Sequence, residues 1–294
     1  MAAGDSSQLD TCDTLLDLDL GPEDCFYRLR RQGHDETRVV YVHVTDISIL
    51  PEDAVTSNDE LIRALSKLSG WYDKWTTFTV SRLGGEVHCR QDHFRAHAIP
   101  REKVLIGYPH FDIVKLRALS YPKSRVTYVD IGSQKCYMKI ARFEFEIPWI
   151  LQELAAYHLL AKSNSTLGPE LLGYVFEGSH RVIGFLITAL PGRPASPADV
   201  GACQNAVRQL HSLGILHGDL VRYNILITED GPKFIDFENS SIRSDHENDR
   251  WDDMTAQELD SLESTLLDPS DKGRPWELAA TNVPETGIIA ASSA

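Results

Sequence analysis

At 294 residues the chain can hold one full core and a second small one, and no stretch approaches the roughly 18 apolar residues of a membrane span, so an integral membrane protein is not expected. The net charge of −14 sits almost wholly in residues 1–25 and 244–268, leaving a near-neutral middle that argues against a general nucleic-acid surface. Five scattered cysteines without a C-x-x-C pair speak against a disulfide framework and a zinc site, and read as reduced thiols.

Residues 1–24 carry seven acids and no Lys or Arg, and they close on Gly21-Pro22. That composition predicts a disordered acidic tail, and it is the opposite of a secretory or transit leader, so a cytoplasmic protein is expected. Residues 25–113 read as an N-terminal extension of mixed strand and helix. Val40, Val42 and Val44 alternate with Val39, Tyr41 and His43 as a strand, Leu61, Leu65 and Leu68 recur as in a helix, and Gly84-Gly85 sits between two β-runs as a hairpin turn. No recognisable chemistry falls in this stretch.

From Arg125 onward, Val126 and Tyr128, then Cys136–Ile140, form two β-runs about Gly132-Ser133. Pro148 opens a helix at a favoured first-turn position. On that helix Ile150, Glu153, Tyr157 and Leu160 share a stripe, so one carboxylate lies among apolar residues and requires a partner. A second helix spans Pro197–Leu213 and is ended by Gly214. After Ile215–Leu220 come two short β-runs, Asn224–Thr228 and Lys233–Phe237, joined by the turn Glu229-Asp230-Gly231-Pro232.

Transfer of a phosphoryl group from ATP needs a carboxylate to receive or orient the acceptor hydroxyl, oxygen ligands for magnesium and a cation on the phosphates. Asp219 and Asn224 stand in the spacing H-x-D-x-x-x-x-N, and the following hairpin can return Asp236 beside Asn224. Taken singly these residues are ordinary: an Asp after Gly is usually a turn cap, and a lone strand Lys is usually solvated. Their joint order is what points to chemistry.

Leu210-His211, Gly214-Ile215, His217-Gly218-Asp219-Leu220, Asn224-Ile225-Leu226 and Ile235-Asp236-Phe237-Glu238 resemble the protein-kinase superfamily. They look most like its small-molecule branch, typified by aminoglycoside phosphotransferases, and like uncharacterised fungal kinase-like proteins; the likeness covers residues 114–240. The resemblance implies an α+β, two-lobed protein-kinase-like fold with a reduced C-lobe behind the N-terminal extension. The N-lobe and hinge would be residues 114–190, and the C-lobe with its acidic segment residues 191–294.

It further implies that Asp219 is the catalytic base, with His217 and Arg222 beside it, and that Asn224 and Asp236 hold Mg2+. Lys139 would contact the α- and β-phosphates of ATP, Glu153 would pair with Lys139, and Thr188 and Leu190 would offer backbone groups to adenine. The expected activity is ATP- and magnesium-dependent transfer to a hydroxyl of a small molecule or protein. The alternative is a pseudokinase that serves as a nucleotide-binding or scaffold module.

Several positions depart from the family pattern. No G-x-G-x-x-G precedes Lys139, and the turn at Gly132-Ser133 supplies one glycine for covering phosphates. Val221 stands where protein kinases place a phosphate-binding Lys, although Arg222 is adjacent, and Glu238 follows Asp236-Phe237 in place of Gly. Gly218 precedes Asp219 where regulated kinases carry an Arg.

Overall fold

The computed structural model describes residues 12–34, 36–178, 180–270 and 272–275, which form four α-helices and four sheets of the α+β class. The first sheet contains β1 (Cys12–Leu20), β2 (Cys25–Gln32), β3 (Thr37–Val44), β4 (Thr77–Leu83) and β5 (Glu86–Gln91), in chain order. Within it only β3 and β4 pair in parallel, and a parallel pair needs a crossover, which contains α1 (Asn58–Leu65). Leu61 and Leu65 of this helix pack with Val40, Val42, Trp71, Trp75 and Phe78 in a core of their own. The strand, helix and hairpin expected between residues 38 and 89 are all present.

The disordered tail expected over residues 1–24 is corrected where it can be seen, because Cys12–Leu20 is a strand; residues 1–11 lie outside the described residues. Its acids look unbalanced in the sequence because their cations come from the next strand. The antiparallel register sets Asp13 opposite Arg31 and Asp17 opposite Arg28. Arg31 donates to Asp13 at 2.8 and 2.9 Å and stacks over Trp71 and Trp75, while Arg28 donates to Asp17 at 2.7 Å.

The second sheet is built from β6 (His110–Asp112), β7 (Arg117–Lys123), β8 (Val126–Asp130), β9 (Lys135–Ile140), β10 (Leu171–Glu177) and β11 (Arg181–Thr188), in the order β6-β10-β11-β9-β8-β7. Helix α2 (Ile147–Lys162) buries Ile150, Glu153, Tyr157 and Leu160, the stripe read from the sequence, and with them Leu154 and Ala156. Strands β9 and β11 approach closely because residue 184 is Gly; a Cβ there would lie 2.1 Å from the Lys139 carbonyl oxygen. At the far end of β10, Glu177 is buried against Arg28, Tyr41 and Arg181, so the first sheet is tied to the second by a compensated charge.

The remaining chain supplies β12 (Arg193–Pro194), α3 (Val200–Ser212), β13 (Ile215–Leu216), β14 (Ile225–Thr228), β15 (Gly231–Phe234), β16 (Ser241–Ile242) and α4 (Asn248–Leu267). A short 3-10 turn, Pro197–Asp199, with a Ser196/Asp199 capping box, leads into α3. Strands β12, β14 and β15 form one small sheet, and β13 pairs with β16. The acidic late segment folds as α4, which buries Trp251, Glu258, Leu262 and Leu266. One core joins α2, α3, the β14–β15 hairpin and α4. Among the described residues no helix is long and apolar enough to cross a membrane.

Candidate functional site

The site forms where β9, α2 and the turn after β15 converge. Antiparallel pairing of Lys139 with Phe185 fixes the lysine on the sheet, 4 % exposed, and the buried stripe of α2 carries Glu153 to it. Asp236 follows the hairpin in a left-handed conformation (φ 66°, ψ 63°), which Asp tolerates better than most residues. Lys139 Nζ lies 2.5 Å from Glu153 Oε2, 2.7 Å from Asp236 Oδ1 and 2.6 Å from Glu238 Oε1. Glu146, the other buried carboxylate nearby, is taken by Arg142.

Two further cations complete the cluster. Lys123 Nζ donates to Asp236 Oδ2 at 2.7 Å, and Arg125 Nη2 donates to Glu238 Oε2 at 2.5 Å. Three carboxylates are thus interleaved with three cations, which is what a largely desolvated cluster requires. Burial acts to lower the Lys139 pKa, but the charges of Glu153, Asp236 and Glu238 outweigh it and hold the ammonium protonated. Burial likewise pushes Asp236 up, and Lys139 and Lys123 bring it below the ordinary carboxylate range. Glu153 goes the other way: burial and the two neighbouring carboxylates raise it against the pull of Lys139. The oxygens of Glu153, Asp236 and Glu238 are spaced closely enough to share a cation, and the Lys139 ammonium already fills that role.

The loop before β14 carries the second half of the site. His217 is fully buried; its Nε2 meets the Ile235 carbonyl at 3.0 Å and its ring packs on Phe237 at 5.0 Å. Burial lowers its pKa, against the opposing pull of Glu258 and the Ile235 carbonyl. It is an anchor for the loop, and its ring is enclosed where a catalytic group must reach substrate. Asp219 follows, with its amide 3.4 Å from His217 Nδ1 and Oδ1 held by the exposed Lys272 at 2.9 Å. Asn224 Nδ2 donates to the Asp219 carbonyl at 3.0 Å, and its Oδ1 is buried with no hydrogen-bond partner among the described residues. Gly218 has a positive φ of 78°, and a Cβ would lie 2.1 Å from the Asn239 carbonyl oxygen, so no side chain fits before Asp219.

Other expected site residues are placed differently. Arg222 lies in a 3-10 turn with its guanidinium over the Tyr223 ring at 5.2 Å. The Thr188 amide is already donated to the Glu170 carbonyl at 3.0 Å, so it is not open to adenine; half-buried Leu190 follows the end of β11. The Gly132 turn joins β8 to β9 and lines a cavity of about 610 Å³ with His110, Asp112, Arg117 and Phe176; none of Lys139, Asp219, Asn224 and Asp236 lines it. The turn over the cluster is the one between β7 and β8, which delivers Lys123 and Arg125.

Sequence reasoning also misses Glu258. From α4 it accepts the amides of His217 (3.2 Å) and Gly218 (2.6 Å) and meets His211 Nε2 at 2.7 Å. The signal for it is the same as for Glu153, a carboxylate in an apolar stripe with Trp251, Leu262 and Leu266.

Residues 194–252, about one-fifth of the chain, match the RIO domain, which belongs to the protein-kinase-like superfamily. The matched stretch runs from β12 into the first turn of α4 and contains His217, Asp219, Asn224 and Asp236, while Lys139 and Glu153 precede it. No curated protein matches the chain.

Proposed function

We propose that this chain is a kinase-type phosphotransferase that binds ATP with magnesium and passes the γ-phosphoryl group to a hydroxyl-bearing acceptor, a small molecule on the strength of its motifs. The observation that carries the reading is the Lys139 ammonium bridging Glu153 and Asp236, beside a loop that presents Asp219 and Asn224. The RIO-domain match over residues 194–252 supports it from an independent direction. The residues fit magnesium: Asn224 Oδ1 is a buried acceptor without a donor among the described residues and Asp236 is held ionised, so both are hard oxygen ligands of the kind Mg2+ takes.

In this reading Asn224 and Asp236 hold the metal, which supplies neutralisation of phosphate charge. Lys139, kept charged by its carboxylates and oriented by Glu153, is the cation for the non-transferred phosphates. Asp219 orients the acceptor hydroxyl and takes its proton as the new oxygen–phosphorus bond forms and the bond to ADP breaks. His217 and Glu258 act through the backbone, fixing the loop that aims Asp219. The two-lobed division at residues 190–191 belongs to the same reading, with the first sheet as an added unit.

A second reading, a nucleotide-binding module without transfer, is favoured by Lys272 on Asp219 Oδ1 at 2.9 Å, which occupies the base. Calorimetric titration of ATP with and without Mg2+, on wild type and Asp236→Ala, tests the nucleotide site: wild type should require the metal and the variant should lose that dependence. Equal metal dependence in both forms overturns the assignment. Labelled ATP incubated with cell extract separates the readings, since a binding module yields no labelled product.

A further inference from the structure

We infer that Lys123 and Arg125, on the β7–β8 turn, grip the triphosphate with side-chain charge where a glycine-rich turn would use backbone amides; this rests on the nucleotide reading above. The turn is closed over the cluster by two ion pairs, Lys123 to Asp236 and Arg125 to Glu238, so both cations already point at the atoms around which phosphates would lie. Backbone capture is not available there. Converging amides need a residue in the left-handed region, and none between Tyr108 and Ile131 has a positive φ. Pro122, beside Lys123, has no amide hydrogen at all.

Arg125 carries a second, independent sign of a missing partner. Its Nη1 is buried and makes no hydrogen bond among the described residues, although Nη2 is engaged with Glu238 and the guanidinium stacks on Trp149 at 4.9 Å. A planar guanidinium with one arm anchored and one arm free suits a phosphate oxygen. Lys139 is less available for this work, because three carboxylates already share its ammonium. Lys123 is the exchangeable charge: its side chain is 33 % exposed, and its partner Asp236 is the carboxylate assigned to the metal. With Asp236 engaged elsewhere, the nearest replacement for Lys123 is phosphate.

The inference is tested by calorimetric titration of adenosine, AMP, ADP and ATP, each with Mg2+, into the full chain. The proteins are wild type, Lys123→Gln, Arg125→Lys and Arg125→Gln, with Lys115→Gln as a control on an exposed lysine outside the cluster. Loss of one charge-assisted contact should weaken ATP binding about ten- to a hundredfold. Adenosine binding should not change, and ATP binding by Lys123→Gln should lose part of its salt sensitivity. Lys115→Gln should behave as wild type, and Arg125→Lys should fall between wild type and Arg125→Gln. Thermal melts check folding, and if Arg125→Gln is unfolded the test rests on Lys123→Gln, whose side chain is partly exposed and so is less tied to the core. ATP bound equally well by wild type and Lys123→Gln overturns this inference alone. A wild type that binds neither ATP nor adenosine overturns the nucleotide reading with it.

Discussion

Replacing Glu258 with Ala should destabilise the chain by about 2–4 kcal/mol, because one carboxylate serves three donors, one of them fully buried. The amides of His217 and Gly218 and the His211 ring all lose their acceptor. An unsatisfied buried donor costs about 1–3 kcal/mol, which falls in full on the amide of buried His217, whereas Gly218 is exposed and its amide can turn towards water. His211 is 11 % exposed at its side chain and can turn towards water, so its share falls at the low end. Against a total stability of about 5–15 kcal/mol this is a large fraction, and it falls on the loop that carries Asp219. Glu258→Gln keeps the volume and one acceptor and should cost about 1–2 kcal/mol. Urea unfolding followed by tryptophan fluorescence reads both, with a lowered midpoint and an unchanged slope. The pH dependence adds a second check. Burial pushes the Glu258 carboxyl up, but the bonds from His211 and the Gly218 amide outweigh it and hold it below its ordinary 4.5. A carboxylate depressed in the folded state contributes stability that is present above the unfolded value and lost as pH falls through the folded one, so Glu258→Gln should flatten the acid limb below about pH 4.5. A Glu258→Ala variant within about 1 kcal/mol of wild type at pH 7 refutes the reasoning.

Asp219→Asn should abolish transfer while leaving nucleotide affinity nearly intact, since it removes a proton acceptor and no phosphate cation; wild-type turnover in the variant rejects the base assignment. Lys139→Met and Glu153→Gln should be non-additive in a double-mutant cycle of unfolding free energies, because the two groups are 2.5 Å apart and each alone leaves the other's charge buried; additive values sink that claim. His158 is brought down to about 4 by burial and then by the charge of Lys103, so it is neutral in the fold and bonds the Tyr174 hydroxyl at 2.9 Å. A histidine depressed from 6.5 loses its contribution as pH falls through the 6.5-to-4 window, and His158→Gln should melt with a shallower pH slope there; identical slopes count against it.

Most of the second half of the chain is legible because each element leaves a period in the sequence. The stripe of α2 singles out Glu153 over Glu144 and Glu146, and the hairpin turn at Gly231 brings Asp236 back beside Asn224. What stays hidden depends on partners distant in sequence. The acids of β1 read as a tail because Arg28 and Arg31 are recognisable as their partners only once the register of β1 and β2 is known. Lys123 and Arg125 escape notice because β7 contains Pro122 and has irregular register against β8, which hides its strand pattern; the glycine turn that draws attention, at Gly132, lies one hairpin after the turn that reaches the Lys139 cluster. Gly218 reads as a missing Arg, whereas the approach of Asn239 leaves room only for hydrogen.

The segment after Asp236 explains why the cluster is complete without any modification. Phe237 is buried against Tyr157 and His217 at ring distances of 5.4 and 5.0 Å, which fixes the backbone on one side of Glu238. On the other side Ser240 is fully buried, and its carbonyl accepts from the Gln152 side chain on α2. Next, β16 pairs with β13, Ile242 opposite Ile215, and the Arg243 amide donates to the Gly214 carbonyl at 2.9 Å. A kinase that is switched by phosphate needs a segment that is loose without it and a guanidinium to receive it. Here the segment is held by side-chain, strand and backbone contacts, and Gly218 leaves no guanidinium before Asp219. The Ser240 hydroxyl is itself buried, donating to the Gln152 carbonyl of α2 at 3.4 Å. The negative charge that draws Lys139 and Arg125 together comes from Glu238 itself, so the charge arrangement is set by the sequence and assembles as the chain folds.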